Sequence, residues 1–439
     1  MAELTDIGPS FAGFALAPVS DVDLAPYVTF FLNWYGASLA GAQREAVNAL
    51  VRFHAVDGQG NGPHPIGRDE NLTTSATVEV NCLASASLAY DDIHFETTLH
   101  PTGPVAAAIM GVASQRKVSG RAALEALRAG MEIECRVALA LFNGDTGAAT
   151  GWYPTGLAGG IGAAAATGRL LGQSEAMLQT SLALASAQAS GTRGTHGAMS
   201  AYWPPAFAAN AGYSAAMMSS AGFTSRIEAL TGPNGMLAQI APRPNAGVAL
   251  DGLGQLDLCA TTACKIFPYG FIAYAPIQCA RDLHDRTGGK DIAAMTLRVS
   301  EACAMLGGQE LPANMFEAQV ALRYIVAQVA IDKNAAFDPV YETFAVDPSI
   351  AALAAKINIV PVSRFSNDMC ELIVTPDTQA PFTLHCKAAP GTAANPNSDA
   401  DIRAKFLRLT GGVLGGTKAI ALLEQLGAIE QMDDIASLQ

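Results

Sequence analysis

Asp91-Asp92-Ile93-His94-Phe95-Glu96-Thr97-Thr98-Leu99-His100 gathers two adjacent carboxylates, two imidazoles and two hydroxyls into ten residues of an otherwise apolar, alanine-rich half of the chain. Helix packing has no use for that density of polar groups. Imidazole is the natural proton carrier near neutral pH, and a carboxylate beside it raises its basicity, so the stretch reads as proton-transfer machinery. The plainer alternative is an N-capping cluster on a solvated loop.

Three further segments offer partners. In Gly151-Trp152-Tyr153-Pro154-Thr155-Gly156, a helix opening after Tyr153 would aim backbone N–H groups at an anion. The plainer reading is a turn whose aromatics pack. Ser190-Gly191-Thr192-Arg193-Gly194-Thr195-His196 puts a guanidinium and an imidazole on a glycine-rich loop, and arginine suits a bidentate grip on a carboxylate. An ordinary solvated loop would read the same way. Lys265 stands where the pattern of the chain changes, and pockets favour such junctions; a surface lysine is the default for that residue alone.

Positioning these groups falls mainly to helices. Apolar residues three and four apart predict helices over 28–50, 105–114, 120–142, 155–171, 174–190, 206–221 and 224–230. Breaks fall at Gly and Pro, as in 58–62, 101–104 and 204–205. Helices apolar nearly all round are buried, so this region predicts a helical bundle. Beyond about residue 265 the pattern turns to strand–helix–helix–strand–strand–strand: strands over 295–299, 356–360, 370–374 and 382–386, helices over 317–331 and 348–355, the latter N-capped by Asp347. Residues 388–399 read as a linker, and helices return over 402–409 and 417–426. The expectation is a mainly α protein: a large discontinuous all-helical domain, 1–262 and 398–439, with a smaller α+β domain, 263–397, inserted as a lid over a cleft.

The bulk numbers narrow the function classes. Half of the 439 residues are hydrophobic, only 15% are charged, and the net charge is −13. That balance excludes a disordered chain and a polyanion binder, so no nucleic-acid partner is expected. No apolar run reaches the roughly 18 residues that a membrane span needs. The N-terminus has no basic segment of the secretory kind, which makes a cytoplasmic protein the default. Eight cysteines without C-x-x-C spacing read as buried reduced thiols, and no metal site is expected. Gly160-Ile161-Gly162 follows no strand, so it is not a dinucleotide loop.

Taken in order, the motifs resemble the MmgE/PrpD family. Residues 81–94, ending Asp91-Asp92-Ile93-His94, resemble its stretch of paired acids. His100-Pro101-Thr102-Gly103-Pro104 is similar to its H-P-x-x-P. Gly151 to Thr155 followed by Gly162 to Gly172 is similar to its G-F-H-x-T and alanine-rich helix, and Ala388-Ala389-Pro390-Gly391 with Lys405-Phe406 to its closing signatures. The resemblance implies a cofactor-free enzyme, usually a homodimer, acting on a small anionic carboxylate. It departs from the family pattern at Ala89, Ile93, Tyr153 and near Ala201, where the family has Asp, Thr, His and Lys.

On this basis the expected chemistry is removal of a proton α to a carboxylate of a di- or tricarboxylate, as a lyase of dehydratase or decarboxylase type. His100 or His94 would be the base and Asp92 would orient it. Tyr153 would be the opposing acid, and Lys265 and Arg193 would hold carboxylates. Asp91, Thr97 and His196 would complete the substrate contacts. The alternatives are an epimerase of an iminodisuccinate-like dicarboxylate working by two-base proton transfer, and a non-catalytic homologue. The catalytic readings require segments near 92, 100, 153 and 265 to converge.

Overall fold

A computed structural model describes residues 4–19, 22–56, 62–142 and 151–438. The predicted break at 58–61 lies outside them. The chain divides into two compact units: Met1–Ser87 with Asp91–Cys264 and Ile402–Gln439, and Leu88–Tyr90 with Lys265–Asp401. The fold is mainly α, and no helix among the described residues is long and apolar enough to cross a membrane.

In the first unit the longer helices are α1 (Gly8–Leu16), α2 (Ala25–Gly41), α3 (Glu45–Val56), α4 (Thr74–Ala86), α5 (Thr102–Ala113), α6 (Gly120–Phe142), α7 (Pro154–Leu171), α8 (Glu175–Ser186) and α9 (Trp203–Ser220). Two more, Asp399–Leu414 and Gly416–Gly427, close the chain. α7 is the core helix, packed by α5, α6, α8 and α9. Its alanines and glycines let backbones touch: a Cβ on Gly212 of α9 would stand 2.1 Å from the Gly160 carbonyl oxygen. A side chain there would force the two helices apart. β1 (Asp92–Ile93) and β2 (Ala263–Cys264) form a short antiparallel ladder, Asp92 opposite Cys264.

The second unit carries a four-stranded sheet ordered β4-β3-β5-β6, from β3 (Ile292–Val299), β4 (Ile357–Pro361), β5 (Cys370–Pro376) and β6 (Phe382–Cys386). β3 and β4 run parallel, so the chain must cross over between them, and it does so through helices. α10 (Tyr274–Thr287), which the sequence reading missed, covers β5 and β6. Alternate residues Cys370, Leu372 and Val374 of β5 are buried. All eight cysteines are buried free thiols.

Several predicted elements are corrected by tertiary contacts. The helix expected over 28–50 breaks after Gly41, where Arg68 takes the Ala42 carbonyl and Asn48 the Gln43 carbonyl. The one expected over 317–331 is split into Met315–Ala318 and Leu322–Ile331, because the Gln319 carbonyl accepts from Gly270 N–H. The segment 224–230 makes only a 3-10 turn, Ile227–Ala229, ahead of Gly232 and Pro233. α8 stops at Ser186 rather than 190, since the chain then crosses the start of α7: a Cβ on Gly156 would meet the Ser190 carbonyl oxygen at 2.4 Å.

Candidate functional site

The crossing at Gly156 assembles one side of the candidate site. Trp152 and Thr192 form a β-bridge, Tyr153 N–H donates to the Gly191 carbonyl at 3.1 Å, and Arg193 N–H donates to the Gly151 carbonyl at 2.9 Å. Gly191 lies at φ 109°, a conformation that only glycine adopts without strain. Backbone pairing thereby holds the Arg193–His196 loop against Tyr153.

The other side is the loop between His94 and His100. His94 N–H donates to the Leu99 carbonyl at 2.9 Å, and the two residues form a bridge. Thr155, at the start of α7, accepts from His100 N–H at 2.9 Å. The imidazole Nδ1 of His100 is 2.6 Å from the Asp92 carbonyl oxygen and 3.2 Å from Asp91 Oδ2. A carbonyl only accepts, so Nδ1 carries the hydrogen, and the lone pair of the neutral ring sits on Nε2. The Asp91 carboxylate faces the same N–H and favours the imidazolium.

Asp92 meets the His100 ring through its backbone carbonyl. Its side chain accepts from Thr102 Oγ1 and, at 3.1 Å, from Thr102 N–H, at the start of α5. There the helix dipole favours a negative charge.

Tyr153 lies between two imidazoles, with ring centroids 6.2 Å from His100 and 5.3 Å from His196, both edge to face. Burial, then the Asp91 charge, push its phenol well above the ordinary range, so it stays protonated. Arg193 is half-buried; desolvation disfavours its charge, and its Nε has no hydrogen-bond partner. His196 is exposed, its Nδ1 3.0 Å from the Arg193 carbonyl.

His94 differs from His100. It is buried, its Nδ1 2.7 Å from Thr97 Oγ1, and it bonds the Leu258 carbonyl. Burial lowers its pKa to about 4, the Leu258 carbonyl opposing only in part. His94 and Thr97 thus satisfy each other as a neutral pair.

A histidine whose folded pKa lies below its unfolded value gives stability that is full above the unfolded pKa and lost as pH falls. Acidification from about pH 6.5 to about pH 4 is expected to cost roughly 3 kcal/mol at this site. A His94→Asn variant should show a flatter dependence of Tm on pH across that window; equal slopes would refute the assignment.

The structure brings together Asp91, Asp92, His94, Thr97, His100, Tyr153, Arg193 and His196, all in the first unit. Lys265, also buried, opens the second unit directly after Cys264. Thr102 and Thr155 were missed. Both sit inside the quoted motifs, at positions that look like ordinary helix starts.

Residues 12–248 match the MmgE/PrpD N-terminal domain and residues 267–427 the MmgE/PrpD C-terminal domain, so the chain belongs to the MmgE/PrpD family. Among curated proteins it is similar to the cis-aconitate decarboxylase of Homo sapiens, 22% identical over 99% of this chain and 94% of that protein. It is also similar to the cis-aconitate decarboxylase of Aspergillus terreus, 23% identical over 76% of this chain and 72% of that protein.

Proposed function

We propose that this protein is a lyase acting on a small di- or tricarboxylate, with His100 as the proton carrier. The observation that carries the reading is the fixed tautomer of His100: Nδ1 is committed to the Asp92 carbonyl and faces the Asp91 carboxylate, and the base lone pair is on Nε2 beside a protonated phenol. In the forward sense Nε2 takes the proton α to a substrate carboxylate. The electron pair left on carbon forms the new double bond as the β group departs. Asp91 balances the imidazolium charge, and Tyr153 O–H is placed to protonate a departing oxygen or a developing carbanion.

Arg193 Nε is a shielded donor that a substrate carboxylate would satisfy. Arg193→Met is expected to raise KM about 10- to 100-fold, with a smaller change in kcat, because a charge-assisted hydrogen bond is worth about 1.5–3 kcal/mol. An unchanged KM would remove Arg193 from the substrate contacts. Lys265 keeps its candidacy as a second carboxylate ligand through the family resemblance.

The two relatives' shared name makes cis-aconitate the first acid to try. Incubation in D₂O followed by NMR tests the class of reaction. Release of CO₂, or a change in alkene content with deuterium at the adjacent carbon, is expected. A second reading, an epimerase, draws on Tyr153 replacing the family histidine beside His100, which pairs two unlike proton carriers. Deuterium uptake at the α carbon with neither CO₂ nor alkene change would favour it and defeat the lyase. No exchange with any di- or tricarboxylate would leave a non-catalytic homologue.

A further inference from the structure

Glu134, on α6, belongs to none of the motifs above. It has no exposed surface, and neither carboxyl oxygen has a hydrogen-bond partner. Its neighbour on the helix, Glu132, has Arg136 as its ion-pair partner; Glu134 points elsewhere, against α7. A Cβ added at Gly159 or Gly162 would stand 3.4 or 3.1 Å from its Oε2, and Pro104 of α5 packs against the same Gly159.

The titratable groups that face it are Asp92 from β1, Cys82 from α4 and Cys135 from its own helix. These neighbours are all acids. Burial first, and the Asp92 charge second, hold the Glu134 carboxyl well above the usual range.

An ionised carboxylate without a partner in such a place costs far more than the neutral acid, and the Asp92 charge adds repulsion. The pair is unequal. Asp92 has both Thr102 donors and the N-terminus of α5, whereas Glu134 has neither. The proton therefore belongs on Glu134.

We propose that Glu134 holds its proton in the working protein and is a positioning residue. A neutral Glu134 leaves the negative charge on Asp92, which keeps the Asp92 carboxylate on Thr102 and its carbonyl on His100 Nδ1. Only the last consequence rests on the proposed lyase reading; the charge state does not.

Infrared spectra of the full chain at neutral pH should show a protonated-carboxyl C=O stretch that is missing from Glu134→Gln. Melting supplies a second readout. A carboxyl whose pKa is raised on folding contributes stability that is fullest below the unfolded pKa and declines as pH rises. The Tm of Glu134→Gln should therefore gain on the parent as pH increases from mildly acidic to alkaline. If the glutamine variant does not fold, Glu134→Met, which fills the volume without a polar group, takes its place.

In turnover, the alkaline limb of the parent's kcat profile should move up by about one pH unit or more in the variant, with KM unmoved. Absence of the infrared band, with parallel melting curves, would overturn the charge assignment and leave the lyase reading standing. Identical kcat profiles would overturn the positioning role. A band present in a protein that turns over no acid would sink the lyase reading and the positioning role, and leave the charge assignment standing.

Discussion

His100→Ala is expected to lower kcat by about 10²- to 10⁴-fold, the range that a positioned general base supplies. Tm should stay closer to the parent's than in a buried-histidine variant, because the ring is partly exposed. The loss should fall on kcat far more than on KM, since the imidazole takes a proton in the transition state and does not grip a carboxylate. Asp91→Asn should cost less: the Asp92 carbonyl still fixes the tautomer, and only the balancing charge is lost. His94→Ala makes the contrast, as it should reduce Tm through the lost Thr97 and Leu258 bonds. Steady-state kinetics beside melting curves for the three variants would check the pattern. Full activity in His100→Ala would end the assignment.

Arg136→Met is expected to cost about 3–5 kcal/mol of stability, the loss typical of removing one partner of a buried ion pair. Arg136 has no exposed surface. Its Nε is 2.6 Å from Glu132 Oε1, its Nη1 donates to the Ala249 and Asp251 carbonyls at 3.0 and 2.8 Å, and its Nη2 donates to the Leu256 carbonyl at 3.1 Å. Glu132 Oε2 in turn accepts from Cys259 N–H at 3.0 Å. One guanidinium and one carboxylate thus clamp the segment that leads to β2, which pairs with Asp92 and supplies the Leu258 carbonyl to His94. Removing the arginine takes away the counter-charge of the Glu132 carboxylate and orphans three backbone carbonyls at once. Denaturant unfolding should report the loss, and proteolysis should find new cleavage within 249–259. The double variant Glu132→Leu/Arg136→Met should recover part of the stability, because much of the cost is the uncompensated carboxylate. A single variant as stable as the parent would show that the clamp carries no weight.

Much of this arrangement was legible because it is local. Helix α6 is bounded at Gly120 and Phe142 as its apolar periodicity requires, β6 spans 382–386, and Asp347 caps its helix through Ser349 N–H. Where the helices expected over 28–50 and 317–331 broke, a distant group had intervened: Arg68 on the Ala42 carbonyl, and Gly270 on that of Gln319. Propensity has no access to such a bond. Glu134 left a usable signal: of the three glutamates on α6, Glu125 stands i,i+4 from Arg121 and Glu132 i,i+4 from Arg136, which leaves Glu134 without a helical partner.

The family follows from the sequence alone, and so does the choice of candidate residues, because paired acids, spaced imidazoles and glycine-bounded turns are written in residue type and order. How the two histidines differ was not written there. His94 and His100 lie six residues apart in the same polar stretch. They differ because the Leu258 carbonyl and Thr97 close around one, while Asp91 and the Asp92 carbonyl hold the other beside Tyr153. A proton's place depends on desolvation and on the acceptor at each nitrogen, and both are set by residues brought near only when the helices pack.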